Sequence, residues 1–149
     1  MTAYHYVECG LPNVFVHGLE PFVDDEGDAV IQIDAINELH REIARGIVKH
    51  EGGMSPEELR FLRTEIGLTQ SELARLLHCD RQSIGRWERG ETPIDPRAET
   101  IIRQHVVDVL ELEDEGGIAV LAHRSVPTAQ TQPIDIEAAN GGFSLRPVA

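Results

Sequence analysis

Two helix starts only fourteen residues apart constrain this chain more than any other feature in it. Ser55-Pro56-Glu57-Glu58 sets a serine cap, a proline at the first helical position and a glutamate three residues after the serine. In that arrangement cap and glutamate each satisfy a backbone N–H of the other. Thr69-Gln70-Ser71-Glu72 repeats the cap-to-glutamate spacing. Asp80 is placed to cap a third helix that Gly90 closes, and Asp95-Pro96 opens a longer fourth running to about Leu112. The middle of the chain is therefore read as a run of short helices.

Short helices hold one another only if they cross closely, and Ala74 supplies the small residue that close crossing needs. Leu73, Leu76, Leu77, Ile84 and Trp87 are expected to form the shared core, with Phe61, Leu62 and Ile66 of the preceding helix covering its other side. Ala98, Ile101, Ile102, His105, Val106 and Val109 are expected on or beside the buried face of the fourth helix. The outward side of the third helix then carries Arg81, Gln82, Ser83, Gly85, Arg86 and Arg89. Arginine and glutamine carry the paired donors and acceptors that match base edges in the major groove of duplex DNA. Gly85 keeps that face low. Gln70, at the start of the second helix, is placed to hold a phosphate oxygen together with the helix-terminal N–H groups, and Arg75 is a further phosphate contact.

The run from Leu68 to Gly90, in the pattern L-T-Q-x-E-L-A-x-x-L followed by R-Q-x-I-x-R-W-E-R-G, resembles the lambda-repressor/Cro-like (Xre-type) helix-turn-helix family. The resemblance extends over about residues 55–112 and implies a five-helix DNA-binding domain. It implies base contacts from Arg81, Gln82 and Arg86, and a phosphate contact from Gln70. Many relatives have glycine in the turn where this chain has His78, so a strained turn is expected there. Xre-type domains also recur in antitoxins, which join the same module to a toxin-neutralising flank.

The flanks read differently. Residues 1–53 form a small β/α unit: strands at Tyr4–Glu8, Asn13–His17 and Ala29–Ile33, then a helix from about Asp34, its cap, to His50. Ile36, Leu39, Ile43 and Ile47 share one face of that helix, which either covers its own strands or meets a partner. Pro21 and the run Asp24-Asp25-Glu26-Gly27-Asp28 read as a solvated loop. Residues 113–149 are an acidic linker and tail. They hold one more short helix at Ile118–His123, a polar stretch from Val126 to Pro133, and a hairpin turning at Asn140-Gly141-Gly142. The fold class is thus mainly α: the helix-turn-helix domain at 54–112, a small N-terminal β/α unit and a C-terminal β-hairpin tail.

The net charge of −13 weighs against a nucleic-acid partner until it is divided along the chain. Residues 1–54 carry ten acids against three bases and residues 96–149 eight against four, while residues 55–95 carry eight against six. The module is near neutral between acidic flanks, and a near-neutral module can present a local basic face. No nucleophile elbow, metalloprotease helix or phosphate-cradling glycine loop is present, so no enzyme activity and no cofactor are expected. His5, Cys9 and His17 lack the number and spacing of a closed zinc site. With two cysteines and no secretion signal or membrane-length apolar run, the expected setting is a reducing cytoplasm. The expected partners are double-stranded DNA and a second copy of the chain, because one such module spans few base pairs. The function expected is that of a homodimeric repressor on an inverted-repeat operator. The alternative is an antitoxin that binds a toxin protein through its flanks.

Overall fold

The computed structural model describes residues 3–113, 117–125 and 132–146. Most of the stretch read as a polar linker, 126–131, and residues 114–116 of the acidic linker lie outside the described residues. The described residues form six helices and a small sheet.

Strand β1 (Tyr4–His5) pairs antiparallel with β2 (Val14–His17), and β2 pairs in parallel with β5 (Ile134–Ala139), with Val14 opposite Ile134 and Val16 opposite Ile136. β5 turns through Asn140-Gly141 into β6 (Gly142–Leu145), giving the order β1-β2-β5-β6. Asn140 and Gly141 both hold positive φ, 55° and 78°, as the favoured two-residue hairpin loop demands. Val14, Val16, Ile134 and Ile136 alternate inward and are buried, and helix α1 (Ile36–Lys49) covers them. Parallel neighbours need a long crossover between them. Here the crossover contains all six helices of the described residues, so an early and a late segment build one sheet and the helical segment leaves and re-enters it.

Several expectations about the N-terminal unit are corrected. The strand read at Ala29–Ile33 is shorter, β4 (Ala29–Val30). It pairs only with β3 (Phe22–Val23), as a separate two-stranded arm outside the main sheet. Phe22 and Val23 lie exposed on it, Val23 at 70%. Asp34 does not cap α1. Its carboxylate accepts from the Gln32 amide, and the cap position falls to Ala35, whose left-handed backbone (φ 55°) aims its own carbonyl at the N–H groups of Glu38 and Leu39. Leu39, Ile43 and Ile47 of the α1 stripe are buried within the chain, while Ile36 at the free end is exposed.

Helices α2 (Pro56–Glu65), α3 (Gln70–Leu77), α4 (Arg81–Glu88) and α5 (Pro96–Val109) follow, so the span 54–112 holds four helices rather than five. Both capping boxes form in full. Ser55 Oγ accepts from the Glu58 N–H and Thr69 Oγ1 from the Glu72 N–H, each glutamate returning the bond. Asp95 caps α5 through the Arg97 N–H. Asp80 occupies the cap position of α4, but its side chain makes no cap bond. Helix α6 (Gly117–Arg124) packs on α5.

Helices α1 and α5 staple one another through two arginines. Arg103, with no exposed surface, donates from Nη1 to the carbonyls of Ile47 (3.3 Å), Val48 (2.8 Å) and His50 (3.2 Å), and from Nη2 to Gly52 (2.8 Å). The first three are carbonyls that a helix end leaves without intrahelical partners, where a cation also faces the negative end of the helix dipole, and Gly52 lies in the chain just past it. Arg103 Nε reaches Glu99 Oε2 at 3.3 Å, and Glu99 Oε1 accepts from the Met54 N–H at 2.9 Å. Burial pushes the Glu99 carboxyl up and the Arg103 guanidinium down from their ordinary values, and each opposes the shift of the other. In return, Arg41 of α1 donates to the carbonyls of Leu110 and Glu111, just past the end of α5. A second link ties the same unit to α2: the Tyr6 hydroxyl lies 2.9 Å from His40 Nε2, and His40 Nδ1 lies 2.7 Å from Glu65 Oε1. Helices α2 and α5 are thereby both tied to α1.

Candidate nucleic-acid interface

Helix α3 is capped at its end by His78, whose backbone takes the left-handed conformation (φ 54°), and α4 begins three residues later at Arg81. The Cys79 N–H returns to the Ala74 carbonyl and the His78 N–H to the Arg75 carbonyl, closing the turn in the manner usual for a left-handed residue after a helix. Left-handed backbone costs a side-chain-bearing residue about 1–2 kcal/mol. His78→Gly should therefore raise stability by up to about 1 kcal/mol, part of the relief being offset by the freer unfolded chain. Urea unfolding midpoints measure it. A variant no more stable than wild type would mean that the turn carries no strain.

Leu73, Ala74, Ile84 and Trp87 are buried where α3 crosses α4, with Phe61 and Leu62 of α2 behind them. Leu76, read as core, is 39% exposed, and Leu77 is half-buried against the cluster. Ile101 and Val109 likewise point outward from α5, whose inner face is Ala98, Ile102, Arg103, Val106 and Val107. In each case the helical period admits a wide apolar stripe, and only its centre meets a neighbour.

One ionic node fixes the crossing of α2, α3 and α4. Arg63 grips Glu88 through two bonds, Nε to Oε2 at 2.6 Å and Nη2 to Oε1 at 3.0 Å. Its Nη1 donates to the Leu68 carbonyl at 3.0 Å. The Gln70 amide donates to Glu88 Oε1 at 3.1 Å. Glu88 is almost completely buried, so one carboxylate anchors the end of α2, the start of α3 and the last turn of α4. Sequence reasoning passed over Arg63 and Glu88. The only signal was a glutamate directly after the core tryptophan, where a buried charge needs a cationic partner.

Arg81, Gln82 and Arg86 stand exposed on the side of α4 opposite Ile84 and Trp87, with Ser83 half-buried at its edge. Among the described residues, the side chains of Arg81, Gln82 and Arg86 have no hydrogen-bonded partner. Arg75 is exposed on α3. Two residues depart from the sequence reading. Gln70 is half-buried, with one amide N–H committed to Glu88. Arg89 is exposed but bound to the Glu91 carboxylate, Nε to Oε1 at 2.9 Å and Nη2 to Oε2 at 3.2 Å. Gly85 does not present a bare low face, because the Arg89 guanidinium lies over it.

Residues 59–103 match the family model described as helix-turn-helix, the lambda-repressor-like (Xre) type. This segment is a helix-turn-helix module. The match begins inside α2 and ends inside α5, so it takes in the whole α3–turn–α4 unit and the Arg63–Glu88 node. The family is one of DNA-binding transcription regulators. No curated protein and no solved structure matches the chain. Among the described residues no helix is long and apolar enough to cross a membrane. The three residues weighed as metal ligands are engaged separately: His5 Nε2 lies 2.6 Å from the Pro12 carbonyl, Cys9 donates to the Tyr6 carbonyl, and His17 lies 2.8 Å from Asp135.

Proposed function

We propose that this protein is a sequence-specific repressor that binds duplex DNA by inserting α4 into the major groove. The observation that carries the reading is the division of α4 into two sides. Ile84 and Trp87 anchor one in the core, while Arg81, Gln82 and Arg86 stand exposed on the other, without hydrogen-bonded partners among the described residues. Arg81 and Arg86 suit the N7 and O6 acceptors of guanine, and Gln82 suits the N6/N7 edge of adenine. The second amide N–H of Gln70, the N-terminal N–H groups of α3 and the exposed Arg75 grip the backbone on either side. Ser83 lies at the edge of this contact.

Acidic character does not oppose this, since bases are concentrated where DNA would lie: Arg75, Arg81 and Arg86 are all exposed within the module. A single α4 reads few base pairs, so two chains related by a two-fold axis would bind an inverted repeat. The α1 stripe is already covered within the chain and is not the surface for that pairing. A cytoplasmic setting follows from the proposed target.

Arg81→Ala or Arg86→Ala should weaken binding to the DNA upstream of the protein's own gene by about 1–3 kcal/mol and relax sequence choice. Gel shift against that duplex and against a scrambled one measures both. The proposal fails if wild type and both variants bind the two duplexes equally.

A further inference from the structure

Arg89, the C-cap residue of α4, is hydrogen-bonded to a carboxylate, Glu91, whose charge also acts on Arg86. Residues 81, 85 and 89 follow one another at one-turn spacing, so Gly85 lies on the same stripe as Arg81 and Arg89. A Cβ at Gly85 would stand 2.8 Å from Arg89 Nη1 and 3.6 Å from Cζ, which makes the bare glycine the berth of the guanidinium. From the other side Glu91 holds it with two bonds. The chain brings Glu91 back by a left-handed turn at Gly90 (φ 73°), with the Glu91 N–H donating to the Arg86 carbonyl at 2.9 Å.

We propose that Glu91 is a built-in competitor of DNA phosphate for Arg89, a residue that sets how strongly the module binds duplex DNA of any sequence. The inference rests on the DNA-binding reading above. A guanidinium paired with a carboxylate through two oxygens presents to that carboxylate the same fork it would present to a phosphate. Glu91 and phosphate therefore contend for one face of Arg89. Both partners are largely exposed, at 59% and 52%, so the pair is weak in water and can be exchanged. The pairing with Glu91 raises the Arg89 pKa and lowers that of Glu91, as expected of an ion pair formed in the free protein. Phosphate contacts carry no sequence information. Withholding one of them lowers affinity for all duplexes alike and leaves Arg81, Gln82 and Arg86 to discriminate.

The test uses the full chain and a short duplex of random sequence, titrated over a range of salt concentrations. Glu91→Gln keeps the shape and removes the competing charge. It should tighten binding about three- to tenfold at low salt and steepen the slope of log affinity against log salt by about 0.9, the value of one added phosphate contact. In an Arg89→Gln background the same substitution should leave the salt slope unchanged and give only a small gain in affinity, that due to the Glu91 charge near Arg86. An equal gain in that background would show a general charge effect and overturn the inference, as would an E91Q chain indistinguishable from wild type. If neither wild type nor E91Q binds DNA at low salt, the DNA-binding reading itself falls, and this inference with it.

Discussion

Replacing Arg103 with alanine should cost about 3–5 kcal/mol of stability, the range found when one partner of a buried ion pair is removed. The loss has two parts. Glu99, 2% exposed at its side chain, is left with a buried charge whose main compensation is gone. The carbonyls of Ile47 and Val48, buried, and of His50 and Gly52, partly buried, lose their shared donor at and just past the end of α1, with only Arg124 left on Val48. For a chain of this size the melting temperature should fall by about 6–20 °C. Arg103→Met, which keeps most of the volume, should be nearly as damaging, because it restores no donor to those carbonyls. Thermal unfolding of the two variants beside Arg97→Ala, an exposed arginine on the same helix, makes the measurement. Melting of R103M within a few degrees of wild type would show that packing, not hydrogen bonding, is what Arg103 supplies.

Glu88→Ala should be the second large effect, about 3 kcal/mol. That is the lower end of the buried-pair range, because Arg63 keeps some contact with water at 14% exposure. The variant frees three groups at once: the Arg63 guanidinium, the Gln70 amide and the last turn of α4. Its consequence should reach past stability. With the node gone the α3–α4 angle rests on the turn's backbone bonds and apolar packing, so DNA affinity should fall even at a temperature where the variant is fully folded. Glu57→Ala, an exposed glutamate of α2, is the control. Denaturant unfolding and DNA titration together decide the matter. If E88A unfolds like E57A, the node contributes nothing, and if it loses stability but binds DNA like wild type, the node does not orient α4.

The parts of the fold legible in advance were those written within a few residues of sequence. The capping boxes at Ser55 and Thr69, the Asp95-Pro96 helix start and the Asn140-Gly141 hairpin depend on bonds spanning two to four positions, and each formed as read. Asp34 and Asp80 had the right residue type for caps and did not act as such, because a side chain at a helix start can be satisfied elsewhere or left in water. Apolar periodicity marked the stripes of α3 and α5 but overran their true width at Leu76, Ile101 and Val109. The exposed face of α4 was legible for the same local reason. The engagement of Gln70 with Glu88 and of Arg89 with Glu91 was not, since nothing in a helical wheel says which charges find one another.

By itself, then, the sequence determined the helix starts of the central module, the turn between α3 and α4, and which side of α4 faces out, while α5 stops at Val109, short of the expected Leu112. Short-range bonding and the 3.6-residue period suffice for those. Only the tertiary structure decided that β2 and β5, whose paired residues lie 120 positions apart, run in parallel, and that Arg103 is a buried staple rather than a solvated charge. It also decided that Arg63 and Glu88 lock the module. These are contacts between distant segments, and their energy depends on what each segment excludes from water once they meet, a quantity no local pattern carries.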